Sequence, residues 1–107
     1  MAAMTLGLVR GDDARIVFRF PAGALADVSG AVFTAESPDG RSFQVSGVVD
    51  GDSVVVLLTP DDTGVAGKYR ADLQTTYADG KIRTPWLAGE FGGVVIHDDV
   101  TKEWAHG

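Results

Sequence analysis

Cysteine is absent from this 107-residue chain. No disulfide can brace it, and it has neither a thiol nucleophile nor a soft metal ligand. That absence alone fixes neither an oxidising nor a reducing compartment. Histidine is scarce: only His97 and His106 are present. No serine sits in a Gly-x-Ser-x-Gly elbow, so a nucleophile, base and orienting group are not assembled in any recognisable pattern. Basic residues are also few, nine Lys and Arg against fifteen Asp and Glu, for a formal charge of −6. They are scattered along the chain. An acidic surface repels phosphate, so neither nucleic acid nor an anionic membrane is an expected partner. No long apolar run occurs. The opening "MAAMTLGLVRG" has no basic region ahead of its short apolar stretch, which predicts neither a signal peptide nor a membrane span, and synthesis in the cytoplasm. "GEFGG" lacks both a following helix and a Lys-Ser/Thr pair, so it is not a phosphate loop.

Helical periodicity is nearly missing too. What replaces it is a series of short runs rich in Val, Phe, Thr and Tyr, separated by Gly and Asp at fairly even intervals. That pattern predicts an all-β chain, an antiparallel sandwich or barrel. The runs predict strands at Met4–Val9, Ala14–Phe20, Ala31–Glu36, Ser42–Val48, Ser53–Thr59, Gly67–Thr76, Ile82–Leu87 and Gly89–His97. Alternation is clear in two of them. Ile16, Phe18 and Phe20 share one face of "ARIVFRF"; Tyr69, Ala71, Leu73 and Thr75 share one face of "KYRADLQTT". Each reads as a half-buried strand over a core. "SVVVLL" is apolar on both faces, which predicts a central or doubly covered strand.

The punctuation has specific chemistry. "SPDGR" and "YADGK" are Asp-Gly turns, where glycine supplies positive φ without steric cost, and "VDGDS" is a third. "TPDDTGVAG" predicts one helical turn near residues 60–66, with Thr59 as N-cap, Pro60 at the first position and Asp61 and Asp62 in the acidic first turn. Pro85 marks its run as an edge or an interruption, since proline cannot donate to a ladder. Gly92 and Gly93 predict a bulge. The expected organisation is a single domain over residues 1–97 and a polar C-terminal arm over 98–107.

Three patterns invite a functional reading. Asp12-Asp13, Asp61-Asp62, Asp98-Asp99 and the Asp50/Asp52 pair could offer carboxylate oxygens to calcium. They lack the spacing of a calcium loop, and aspartate is also the ordinary turn and cap residue, so no metal and no cofactor are expected. Arg10-Gly11-Asp12 is the tripeptide read by adhesion receptors, yet Gly11 and Asp12 are explained equally by a turn between two strands. Trp86, Trp104, Tyr69 and Tyr77 could form a sugar-stacking platform. Trp104 stands in the polar tail, where no core periodicity claims it, and suits an anchor for a partner or a fold-back onto the domain.

The ordered segments resemble a known group. "TLGLVRGDDARIVFRF", "ADVSGAVFTAES", "VVVLLTPDDTGVAGKYRADLQTTYADGKIRT" and "GEFGGVVIHDDVTK" are together similar to small bacteriophage and prophage virion proteins. The nearest in style are the Ig-like N-terminal domain of baseplate upper proteins and related tail and head accessory proteins. The resemblance implies an Ig-like β-sandwich of seven or eight strands. It also implies a non-enzymatic structural role in the virion, with other virion proteins of tail, neck or capsid as partners. A baseplate upper protein continues into a long fibre-bearing region; for this chain the expectation is a stand-alone module. Sheet edges and terminal arms would be the docking surfaces, with Leu6, Leu8, Trp86 and Trp104 as the interface residues. The alternative is a carbohydrate-binding or host-attachment module that uses the exposed aromatics.

Overall fold

The computed structural model describes residues 6–98, and these form eight strands: β1 Leu6–Val9, β2 Ala14–Arg19, β3 Val28–Glu36, β4 Ser42–Asp50, β5 Ser53–Leu58, β6 Gly67–Tyr77, β7 Ile82–Ala88 and β8 Val94–His97. No helix occurs among the described residues. The expected all-β class with seven or eight strands is present, and the single helical turn expected near residues 60–66 is a hydrogen-bonded turn at residues 60–63. There Asp62 and Thr63 donate their amides to the Thr59 carbonyl at 3.0 and 3.2 Å, and the Asp62 carboxylate caps the Thr59 amide at 2.8 Å. The capping chemistry is therefore the anticipated one. No amphipathic stretch comes after it, so the turn does not propagate into a helix.

The hydrogen-bonded order is β1-β8-β6-β3-β4-β5-β2, with β7 also on β6. All pairs are antiparallel except β1 with β8. Two strands carry the path around corners. β6 pairs with β8 through Gly67–Tyr69 and with β7 through Ala71–Thr76. β4 pairs with β3 up to Gly47 and with β5 from Val48 onward. The result is one mixed sheet curled almost into a barrel. Separation into two stacked layers does not result from this pairing, because β4 and β6 carry hydrogen bonds from one group of strands to the next.

Gly47 sits at the β4 corner for a steric reason. A Cβ there would stand 2.7 Å from Val54 Cγ1 and 3.4 Å from the Ala31 methyl. Only glycine lets the strand pass this close over its neighbours.

The core follows from the alternation. Tyr69, Ala71, Leu73 and Thr75 all point inward and are buried, as are Ile16, Phe33, Val54, Val56, Val94 and Ile96. Phe33 is fully buried and meets Phe18, Phe43 and Trp86 at ring separations of 6.1–6.4 Å. Tyr69 is enclosed, and its hydroxyl donates to the Val65 carbonyl at 2.8 Å. This satisfies the one polar atom of a buried ring, and burial raises its phenol pKa. β5 is central as expected, paired with β4 and β2, but its second face is open: Leu57 is 58% exposed.

Two expectations need correction. The last run is not one strand from Gly89. Residues 89–93 form the β7–β8 connection, in which the Gly93 amide donates to the Glu90 carbonyl at 3.1 Å and Gly92 has φ 110°. Gly92-Gly93 is a turn and not a bulge. The bulge of this region is instead at Pro85. Leu73 opposes Trp86 and Thr75 opposes Arg83, so Thr84 and Pro85 together stand against Gln74. Proline thus lies on a strand with one free edge and takes an unpaired place in the ladder.

Candidate functional site

The sheet path has two ends, and their geometry differs. β1 closes one flank by its parallel ladder to β8. β2 ends the other flank; among the described residues it is paired only with β5, and β7 only with β6. Side chains of β2 and β7 meet nevertheless. The Phe18 and Trp86 rings are 5.3 Å apart. Leu6, Ile16, Val17, Phe18, Phe20 and Trp86 line a groove of about 450 Å³ between the two strands, with Arg19, Pro21 and Pro85 completing its walls. This is the seam where the barrel does not close. Among the described residues each of its two strands keeps one row of backbone donors and acceptors without a ladder partner, an arrangement that accepts an added strand.

Charge is distributed unevenly here. β2 carries Arg15 and Arg19 and β7 carries Arg83; neither strand contains Asp or Glu, although the chain has fifteen acidic residues. The seam is an apolar groove on an acidic protein, with Arg19 in its wall and Arg15 and Arg83 farther along the same two strands. It also continues into an apolar row on the outer face: Val17 pairs with Val55, and Val55 with Val48, which is 62% exposed. Scattered exposed hydrophobic side chains are ordinary, but a cross-strand row running into a groove is the kind of patch that marks a docking surface.

The structure distributes the four sequence-selected interface residues unequally. Leu6 and Trp86 come together in the seam. Leu8 lies on β1 opposite Ile96 and packs against the core, which gives it a structural role. Trp104 lies outside the described residues. The stacking-platform residues do not gather on one surface. Trp86 packs on Phe18 and Phe33, Tyr69 is buried, and Tyr77 lies beneath the Arg83 guanidinium at 5.7 Å. Sequence reasoning missed Ile16, Val17, Phe20 and Arg19 as lining residues. The available signal was the absence of acidic residues from both "ARIVFR" and "IRTPWLA", in a chain where Asp and Glu are otherwise frequent.

The Arg10-Gly11-Asp12 turn belongs to the closed flank. Its backbone is held at every residue. The Arg10 amide donates to His97 at 2.8 Å, Gly11 to Thr63 at 3.1 Å and Asp12 to Val9 at 3.1 Å. The buried Thr63 hydroxyl returns a bond to the Asp12 carbonyl at 2.8 Å. Gly11 has φ 79°, the conformation that glycine adopts freely. The Arg10 side chain pairs with Asp98 at 3.2 Å. The backbone of the tripeptide, the positive φ of Gly11 and the Arg10 side chain thus have folding roles.

The aspartates also take up local work. Asp39 accepts from the Ser37 hydroxyl and from the Arg41 amide, which lowers its pKa. Asp79 accepts from the Lys81 amide at 3.0 Å, in a turn of the same pattern. Asp52 accepts from the Gly23 amide at 3.3 Å and tethers the β2–β3 loop. These are turn and loop roles, as the composition suggested. Among the described residues no three His, Asp or Glu side chains converge as metal ligands.

Comparison with family models, curated proteins and solved structures finds no match to this chain.

Proposed function

We propose that this protein is a non-enzymatic docking module that receives an extended segment of a partner in the β2–β7 seam, and that it serves as a structural protein of a tailed-phage particle. The single observation that carries the docking reading is the seam itself: two strands whose facing edges have no ladder partner among the described residues, an apolar floor of Phe18 and Trp86, and Arg19 in its wall. Main-chain bonds to an added strand supply affinity, and alternate side chains entering the groove supply register. The fitting segment is a strand with apolar residues on its inward face and acidic residues on its outward face. The phage assignment rests on the ordered sequence resemblance. Repetition in a symmetric particle would let a weak single contact hold through many copies.

The test is composition of purified particles from the source phage or induced prophage. The protein is expected at a fixed copy number by quantitative mass spectrometry. Arg19→Glu, an exposed change that keeps the fold, should lower its incorporation at least about tenfold by placing like charge against an acidic strand. Absence of the wild-type protein from particles overturns the virion reading. Normal incorporation of Arg19→Glu and of Trp86→Ala overturns the seam as the docking site.

A further inference from the structure

A second surface lies on the outward faces of β3, β6 and β7. Thr34, Glu36, Arg70, Asp72, Leu87 and Gly89 border a groove of about 380 Å³. Asp72 stands in its centre, in register with Thr34 on one side and Leu87 on the other. Its strand neighbours are thus a hydroxyl and an alkyl group, and its Oδ1 is buried without a hydrogen-bond partner among the described residues. The adjacent charges are committed elsewhere. Arg70 donates to Glu36 from both Nε and Nη2, with the Nε bond at 2.8 Å, and its guanidinium lies over the Phe91 ring at 5.1 Å. Thr34 Oγ1 accepts from Gln44 Nε2 at 3.2 Å. Among the described residues one carboxylate is therefore left uncompensated in a groove whose other charges are already paired. Beside it Leu87 is 60% exposed.

We propose that this groove receives a lysine side chain of a partner protein, its ammonium on Asp72 and its alkyl stem along Leu87. A buried oxygen without a donor is costly to keep, and a cation is the partner that a carboxylate lacks most. Lysine fits better than arginine. Its ammonium is a compact point charge suited to one free oxygen, whereas a guanidinium fork calls for a bidentate acceptor. The carboxylate torsion is soft and roughly two-fold, and no protein donor pins it, so the buried oxygen can turn toward an entering ammonium. The exposed Leu87 supplies the apolar surface along which a lysine stem lies while its charge reaches past. This site uses none of the seam residues, so it stands or falls apart from the docking reading above.

The experiment is a titration of the full chain, isotopically labelled, with Nα-acetyl-lysine methylamide, followed through backbone amide signals. Saturable shifts are expected, confined to the neighbourhood of Thr34, Asp72 and Leu87. The uncharged norleucine analogue should give none. Asp72→Asn should weaken binding roughly tenfold through loss of the charge-assisted bond, while its amide spectrum shows that the fold persists. Leu87→Ser should weaken binding less, with Asp72 in place. Arg19→Glu should leave it unchanged, which separates this site from the seam. Equal affinity of wild type and Asp72→Asn, or equal binding of the norleucine analogue, overturns the proposal. Tighter binding of cadaverine than of the lysine amide overturns the assignment to a protein side chain.

Discussion

The two flanks of the sheet path are built from similar residues and end differently. On the β1–β8 flank, Leu6–Val9 completes a parallel ladder, and the turn after it is bound to Thr63, Val9 and His97 through its backbone. At the β2–β7 seam the side chains meet but the backbones do not pair. Both flanks set apolar side chains against the core, Leu6, Leu8, Val94 and Ile96 on one and Ile16, Phe18 and Trp86 on the other. What separates them is a ladder: among the described residues β1 hydrogen-bonds along β8, whereas β2 and β7 meet through side chains alone. A fold that closed both would be a barrel without an edge to offer. Leaving one seam open keeps a surface for another chain, at the risk of unspecific edge pairing that Arg15, Arg19 and Arg83 help to suppress.

The contrast between the flanks can be broken from the seam side at Gly47. Gly47→Ala places a methyl group against Val54 and Ala31 at the corner that carries β4 into β5. Overpacking of this kind costs about 1–3 kcal/mol, measurable by urea denaturation. Amide exchange should accelerate first in β5 and β2, the strands that depend on the corner, while β6 and β8 keep their protection. Equal acceleration on both flanks would mean that they unfold as one unit.

From the closed side the corresponding change is Thr63→Val. It keeps the shape of a fully buried side chain and removes the hydroxyl that donates to Asp12. The loss should be about 1–2 kcal/mol. Exchange at Gly11 should rise, because its amide bonds to the Thr63 carbonyl within the same contact. Binding at the seam should be unaffected. A variant that loses seam binding instead would show that the two flanks are coupled, and the contrast between them would then be one of degree.

Most of the fold was legible because its signals are local. Period-two alternation placed Tyr69, Ala71, Leu73 and Thr75 on the buried face of β6, and the Asp-Gly pairs placed the turns at Gly40 and Gly80, which have φ of 86° and 87°. Ambiguity entered where one local signal serves two geometries. Two adjacent glycines fit a bulge or a turn equally, and only the position of β8 beside β6 decides for the turn at Gly92-Gly93. A Thr-Pro-Asp-Asp sequence caps a helix or closes a single turn, and the residues after Thr63 decide between them. The site was less legible because it depends on pairing over long separations. Trp86 could be chosen as an interface residue from its Pro85 neighbour, but its contact with Phe18 requires knowing that β2 and β7 are the strands left without second partners. Asp72 could be placed on an outward face by alternation. That its flanking strands offer it Thr34 and Leu87, and no cation, is a property of register alone.

Asp72 also gives the smallest and most selective test, because it lies on the shared sheet between the two flanks. Burial raises its pKa above the ordinary aspartate value of 3.8. The folded state therefore holds the proton more tightly than the unfolded state does. This group favours the fold below the unfolded value, and that contribution is lost as pH rises through the higher folded value. Above it the ionised carboxylate is a standing cost. Asp72→Asn should accordingly stabilise the protein at neutral pH, by about 1 kcal/mol at most for a partly buried group lacking a partner. Its advantage over wild type should shrink as pH falls, and it should vanish below the unfolded value. Asp39 works in the opposite sense, since its lowered pKa gives stability that is lost on acidification, but it is common to both proteins and cancels in the difference. If the stability difference between Asp72→Asn and wild type is flat with pH, Asp72 is not held away from water as the sheet register implies. If the difference has the expected slope, the position trades stability for an unpaired charge. That is the pattern expected of a residue kept for binding rather than for folding.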